Sequence, residues 1–287
     1  MSDVVDSTNN IDESVHIDKM EYVLNDMNVF VISLSLKNVS ANVKKYFANA
    51  KIFRAVDLRR EVPINLAKSK LITPSGYDTL LNGRKWHKEL SSKGAVGLHQ
   101  SVRLVLEAII SKGEEHTSLL LLEEDCKFSN DIRRHIKALQ DNENLFDIAL
   151  IGSEFAKRGT TTPIDDMPAG WFECDNSTFM LTHCTYIPSH AIKKMGKLYR
   201  EPQEVQIDAF YSLLNNIGEI NVWIYDKHDV AFQNIHVSTI QETDGTCPLC
   251  NFRPRYDVMV ILSLRIKLII FICFIVFVCA RVKRVYN

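Results

Sequence analysis

The chain has 287 residues, of which 46% are hydrophobic and 24% charged, the balance of a globular protein rather than a disordered or fibrous one. Its 34 Lys and Arg set against 35 Asp and Glu leave a formal charge of −1, so no overall field draws it toward nucleic acid. The 7 cysteines, Cys126, Cys174, Cys184, Cys247, Cys250, Cys273 and Cys279, are too scattered for a disulfide-stapled secreted module.

Residues 1–27 are polar and acidic, with no basic flank leading into an apolar run. No cleavable signal peptide is read there, and the segment reads as a flexible N-terminal extension. Asn28–Leu34 (NVFVISL) has strand character. Ser101–Lys112 carries apolar residues at 102, 104, 105, 106, 109 and 110 and stops at Lys112-Gly113, which predicts a helix. Ser118–Leu122 (SLLLL) predicts a strand, Asp131–Gln140 a helix and Phe146–Ile151 (FDIALI) another strand. Gly159–Gly170, with three threonines and two prolines, predicts a loop and a candidate flexible lid. Pro202–Leu214 predicts a helix and Val222–Tyr225 a strand. Strands alternating with helices imply an α/β domain over 28–245 with a mostly parallel central sheet flanked by helices.

After a linker over 246–257, Val258–Ala280 reads VMVILSLRIKLIIFICFIVFVCA. Its charge-free part, Leu268–Ala280, spans roughly 20 Å as a helix, short of the roughly 30 Å bilayer core. Including Val258–Leu264 lengthens it enough, with Arg265 and Lys267 inside at a cost of about 2.5–3.5 kcal/mol each at the midplane. The Ile, Leu, Phe and Val residues offset this. A C-terminal hydrophobic helix over 258–280, anchoring the chain to a membrane by a single pass, is therefore expected, followed by a basic tail over 281–287. A very apolar core helix and a peripheral or disordered tail are the other readings. Arg253 and Arg255 before the stretch and Arg281, Lys283 and Arg284 after it leave the orientation open. A domain preceding a terminal span is expected on the cytosolic face.

The segment richest in chemistry is Leu119–Phe128, LLLLEEDCKF, where a leucine run ends abruptly in consecutive acids. In an open α/β sheet, ligands gather at the carboxyl ends of the strands. Strand alternation sends Glu123 and Asp125 to one side and Glu124 to the other. Two convergent carboxylates make a hard oxygen site for Mn²⁺ or Mg²⁺, and such an ion neutralises a departing diphosphate. The alternative is a solvated strand-to-helix turn whose Asp caps the next helix.

The order of several motifs resembles glycosyltransferase family 25, the lipooligosaccharide and procollagen galactosyltransferase-like group. Val29-Phe30-Val31-Ile32-Ser33-Leu34 is similar to its opening V-x-V-I-N-L, and Phe53-Arg54-Ala55-Val56-Asp57 to its second strand and A-x-D. Residues 94–102 (GAVGLHQSV) are similar to its G-x-x-G-C-x-L-S-H, residues 121–128 (LLEEDCKF) to I-L-E-D-D-x-x-F, and Asp147–Gly152 to D-I-x-x-L-G. Thr185–Ser189, Gln206-Ile207-Asp208 and Gln233 with Ser238 are similar to A-Y-x-x-S, P-x-D and Q-x-x-x-x-S. The resemblance spans residues 28–240. In this chain Ser33 replaces Asn, Leu98 replaces Cys, Val102 replaces His and Glu124 replaces the first Asp of the acidic pair.

The resemblance implies a GT-A-like nucleotide-diphospho-sugar transferase, moving a hexose from a nucleotide diphosphate sugar, expected to be UDP-linked, to a hydroxyl of a glycan or protein with inversion. It implies that Asp125 and Glu123 ligate Mn²⁺ or Mg²⁺, Glu123 also serving the donor side. Ser33, Asp57 and Ser101 are donor-binding candidates, and Asp208 is the candidate general base that deprotonates the acceptor. The other reading of Ser33 and Asp57 is turn hydrogen bonding, of Ser101 a helix cap, and of Asp208 an acid favoured by a helix N-terminus. No role falls to His99 or His183. The replaced positions suit a rival reading, a catalytically silent transferase-like module tethered to the membrane, whereas Glu123, Asp125, Asp208 and Gln233 suit the enzyme. Cys247 and Cys250 form a lone C-x-x-C, a weak zinc signal.

Overall fold

The computed structural model describes residues 26–35, 37–84, 86 and 88–233. Every element named below belongs to one compact unit. The expected linker, the 258–280 anchor, the basic tail, Ser238 and the C-x-x-C lie outside the described residues. Among the described residues, no helix is long and apolar enough to cross a membrane.

β1 (Asn28–Ser33) sends Val29 and Val31 into one apolar layer and Phe30 and Ile32 into another, the period-two alternation of a strand buried on both faces. α1 (Ala41–Tyr46) starts where Ser40 Oγ accepts the Val43 N–H at 3.3 Å. β2 (Lys51–Arg54) returns to the sheet, and α2 (Pro63–Lys68) and α3 (Pro74–Asn82) each open with proline in the first turn. α4 (Lys93–Ser111) is capped by Ser92 Oγ, which accepts the Ala95 N–H at 3.1 Å. β3 (Leu119–Glu123), β4 (Cys126–Phe128), α5 (Ile132–Asp141), β5 (Ile148–Ile151) and β6 (Glu154–Lys157) follow. β7 (Thr160–Pro163), β8 (Trp171–Asp175), β9 (Thr178–Met180) and β10 (Cys184–Ile187) precede α6 (Ser189–Leu198), α7 (Ile207–Asn216), β11 (Val222–Tyr225) and β12 (Ala231–Gln233).

Eight strands form one sheet in the order β2-β1-β3-β10-β5-β11-β8-β7. β1 pairs parallel with β2 and β3, and β5 with β11. β10 lies antiparallel between β3 and β5, and β8 lies antiparallel between β11 and β7. The sheet is therefore mixed, with most strands pointing one way and two reversed strands interleaved. β4 and β12 pair antiparallel outside it, as do β6 and β9.

The leucines of β3 alternate between the layers. Leu120 and Leu122 join α1 and α5 on one face, while Leu119 and Leu121 join α4, α6 and α7 on the other. Side chains of this size contribute about 1.5–3 kcal/mol each when fully buried. A smaller cluster of Leu66, Ile72, Leu90, Ala95 and Val96 fastens α2 and α3 to the start of α4.

Three elements depart from the sequence expectation. α4 begins at Lys93 rather than Ser101. Its glycines look like helix breakers, yet Gly97 is where the helix crosses the chain leaving β2: a Cβ there would lie 2.3 Å from the Val56 carbonyl oxygen. The expected 159–170 lid is partly strand, because Thr160–Pro163 pairs with β8 at the sheet edge. The helix expected from Pro202 begins at Ile207. The preceding backbone pairs instead, Gln203 N–H with the Leu71 carbonyl at 2.9 Å and Gln206 N–H with the Lys88 carbonyl at 3.1 Å.

Candidate functional site

The acids sit where β3 runs out of the sheet. Leu119–Leu122 are buried, and Glu123 stands opposite Ile32 of β1 as the last residue of the strand. Its N–H donates to the His183 carbonyl at 2.9 Å, just before β10. The chain then turns through Glu124 and Asp125 into β4, where Cys126 is paired with Gln233 of β12. Both ends of the acidic turn are thus pinned by backbone pairing.

That pairing decides where the carboxylates go. Gln233 Nε2 donates to Glu123 Oε2 at 3.3 Å and to Asp125 Oδ1 at 3.2 Å, so one amide reaches both. Thr182 Oγ1 donates to the other oxygen of Glu123 at 3.4 Å. Glu124 turns away, accepting from Ser33 Oγ at 2.5 Å and Ser35 Oγ at 3.3 Å.

Burial raises the Glu123 pKa to about 7, helped next by the Asp125 charge and then by that of Asp208, against hydrogen bonds from Thr182 and Gln233. A cavity of about 10 Å³ lies behind Glu123, walled by Leu98, Val102, Ile207 and Tyr211 among others. Apolar side chains on that side give the carboxylate little compensation for lost hydration, and the space admits about one water. Burial also pushes the Asp125 carboxyl above its ordinary range, partly offset by backbone and Gln233 hydrogen bonds. Removing water from two convergent carboxylates disfavours charging both.

Asp208 occupies the first turn of α7, half-buried, its Oδ1 accepting the Ala209 N–H at 2.7 Å. Ser212 anchors the helix: its Oγ donates to the Asp208 carbonyl at 2.9 Å and accepts the Phe179 N–H of β9 at 2.9 Å. Asp208 is near enough for its charge to act on Glu123.

The donor-side candidates are dispersed. Ser33, at the end of β1, is buried and engaged with Glu124 and with the Ser35 N–H at 3.1 Å. Asp57 is exposed and paired with Arg59, whose Nε and Nη2 each donate to it at 2.8 Å. The Arg59 guanidinium holds this carboxyl well below the usual carboxylate range. Ser101 corrects the expectation of a direct donor contact: it is 0% exposed, donates to the Gly97 carbonyl at 2.7 Å and accepts the Val56 N–H at 2.8 Å. It clasps α4 to the chain leaving β2 and offers no surface to a ligand.

His99 is buried against Tyr199 and Phe210, with ring centroids 4.6 and 5.6 Å away, and burial lowers its pKa to about 3. His183 is buried too, its Nε2 3.3 Å from the Ala231 carbonyl oxygen. Thr182 carries no signal in the sequence. Gln233 belongs to a motif, but its place beside acids more than a hundred residues earlier depends on the β4–β12 pairing.

Among the described residues, no three His, Cys, Asp or Glu side chains are grouped so as to hold a metal ion. Glu123 and Asp125 form a two-carboxylate donor set of hard oxygens, which fits Mg²⁺ or Mn²⁺ when substrate phosphates and water supply further ligands.

No family model matches the chain, and no curated protein matches it. Among solved structures it is similar to the UTP-bound UGPase from Acinetobacter baumannii, with a TM-score of 0.36 and 13% identity over 74% of each chain. It is similar to UDP-glucose pyrophosphorylase from the same organism, with a TM-score of 0.35 and 13% identity over 74% of each chain. It is also similar to A197 from STIV, with a TM-score of 0.34 and 10% identity over 74% of this chain and 96% of that one.

Proposed function

We propose that the chain is a membrane-anchored glycosyltransferase that moves a hexose from a UDP-linked sugar to a hydroxyl of a glycan or protein, with inversion. The observation that carries this reading is the single Gln233 amide lying within hydrogen-bond reach of both Glu123 and Asp125. It means that the two acids face one point at the carboxyl edge of β3, with Asp208 close by.

In this reading Asp208 accepts the proton of the acceptor hydroxyl as its oxygen bonds to the anomeric carbon of the sugar. The bond from that carbon to the diphosphate oxygen breaks, and its electron pair leaves with the nucleotide. A divalent cation held by Glu123 and Asp125 supplies charge neutralisation of the leaving diphosphate. Thr182 orients Glu123, and apolar side chains line the space beside that carboxylate. Ser33 and Asp57 mark the donor side, with Ser101 supporting it through the backbone of Val56. The 258–280 stretch supplies the membrane attachment.

Nucleotide release by the full chain in detergent, assayed with UDP-galactose and UDP-glucose with and without Mn²⁺, tests the reading. Mn²⁺-dependent release, lost in Asp125→Ala, is the expected result. A well-folded protein that neither binds nor cleaves either sugar nucleotide overturns it. The second reading, a catalytically silent membrane-tethered module, draws on the Arg59-paired Asp57 and the fully engaged Ser101. Nucleotide-sugar binding without release, unaffected by Asp208→Asn, is its signature.

A further inference from the structure

The reaction proposed above gives Gln233 no part, yet its amide is the group that ties the two acids together. Nε2 carries two hydrogens and reaches Glu123 Oε2 at 3.3 Å and Asp125 Oδ1 at 3.2 Å. This NH₂ end is the positive pole of a neutral dipole. Among the described residues, no Lys or Arg is paired with either carboxylate. The strand that carries the amide is held by backbone pairing independent of the acids it bridges. Gln233 lies opposite Cys126 across the β4–β12 pairing. The start of that pair is held where the Ser129 N–H meets the Val230 carbonyl at 3.0 Å and His183 Nε2 lies 3.3 Å from the Ala231 carbonyl. A backbone-paired strand thus carries a weakly positive, two-pronged donor to a point between two carboxylates that repel each other.

We propose that Gln233 is a positioning residue and a place-holder: in the cation-free protein its amide stands where the divalent cation of the proposed reaction binds, keeps Glu123 and Asp125 turned to one point, and gives way when the cation arrives. The inference rests on the cation-assisted reading above and deepens it. A residue that acts only while the cation is absent stabilises only the cation-free state, so its removal must separate the two states thermodynamically.

The test is thermal unfolding of the full chain in detergent, with Mn²⁺ alone as the probe. In Gln233→Leu the midpoint without Mn²⁺ is expected to fall by about 3–6 °C, the scale of losing hydrogen bonds to charged groups in a domain of this size. With saturating Mn²⁺ it returns to the wild-type value, and half-saturation needs roughly tenfold less Mn²⁺. Gln233→Lys, which leaves a fixed cation between the acids, raises the midpoint without Mn²⁺ and abolishes the Mn²⁺-induced rise. A merely structural role lowers the Gln233→Leu midpoint equally with and without Mn²⁺, and that result overturns the inference, as does an unchanged cation-free midpoint. Should Gln233→Leu fail to fold, a Mn²⁺-induced rise surviving in Gln233→Lys overturns it. If wild-type protein shows no Mn²⁺-induced rise, the cation-assisted reading falls and takes this inference with it. A wild-type rise with a failing Gln233 series removes the inference alone.

Discussion

Glu123, whose proton the fold retains, and Asp208, the base of the proposed reaction, each make a separable prediction. The folded protein holds the Glu123 carboxyl near pH 7, against an ordinary 4.5. A raised pKa means that the folded state keeps this proton while the unfolded state loses it. The stabilisation from Glu123 is therefore complete below about pH 4.5 and is lost as pH rises through about 7. His99, His135 and His183 are lowered by burial to about 3, 4 and 4. They act in the opposite sense, since the unfolded state binds their protons first as pH falls below their ordinary 6.5. Comparing wild type with Glu123→Gln, both without metal, cancels the histidines. The variant is expected to match wild type at pH 4 and to exceed it by about 2–3 kcal/mol at pH 8, read from urea denaturation. Nucleotide release is expected to be lost in the same variant. Asp208→Asn keeps the helix and its Ser212 anchor, because that bond uses the backbone carbonyl. Its turnover is expected to fall by about 10²–10⁴ with donor KM within a few-fold of wild type.

Between elements, one close backbone approach and one side-chain clasp each make a prediction. Gly152, after β5, has φ +76°, and a Cβ there would lie 2.1 Å from the Ala231 carbonyl oxygen and 2.8 Å from His183 Nε2. Gly152→Ala therefore strains the turn and pushes β12 away from the sheet, taking Gln233 with it. A loss of about 2–4 kcal/mol in denaturant stability is expected. Ser101→Ala tests the clasp between α4 and the chain leaving β2. It leaves the Val56 N–H without its partner at a cost of about 1–3 kcal/mol. Donor KM is expected to stay near wild type, since the buried hydroxyl meets no ligand. A tenfold rise in KM at unchanged stability contradicts that assignment.

For the whole molecule, the 258–280 stretch leads us to expect that full-length chain sediments with membranes and resists carbonate extraction, while residues 1–245 stay in the supernatant. Recovery of both in the supernatant counts against the anchor. Much of the core framework was legible in the residues themselves. A four-leucine run must be buried on both faces, so β3 was placed to within a residue, and the alternation of β1 and the contiguous apolar stretches of β5 and β11 worked the same way. Local patterning carries this much because burial and backbone period act over a few neighbouring residues. The reversed strands β8 and β10, the early start of α4 and the sheet-edge pairing of the expected lid were not legible. Each is stabilised by partners far along the chain, as where Thr160 meets Asp175 and Cys184 meets Leu122. The site divides in the same way. Three acids after a leucine run announce charge at a strand end without any structure, because carboxylates cannot follow the leucines into the core. Strand alternation already sets Glu123 and Asp125 apart from Glu124; what lays one glutamine amide across that pair is β12, a contact that exists only once the β4–β12 pairing has brought residue 233 beside residues 123 and 125.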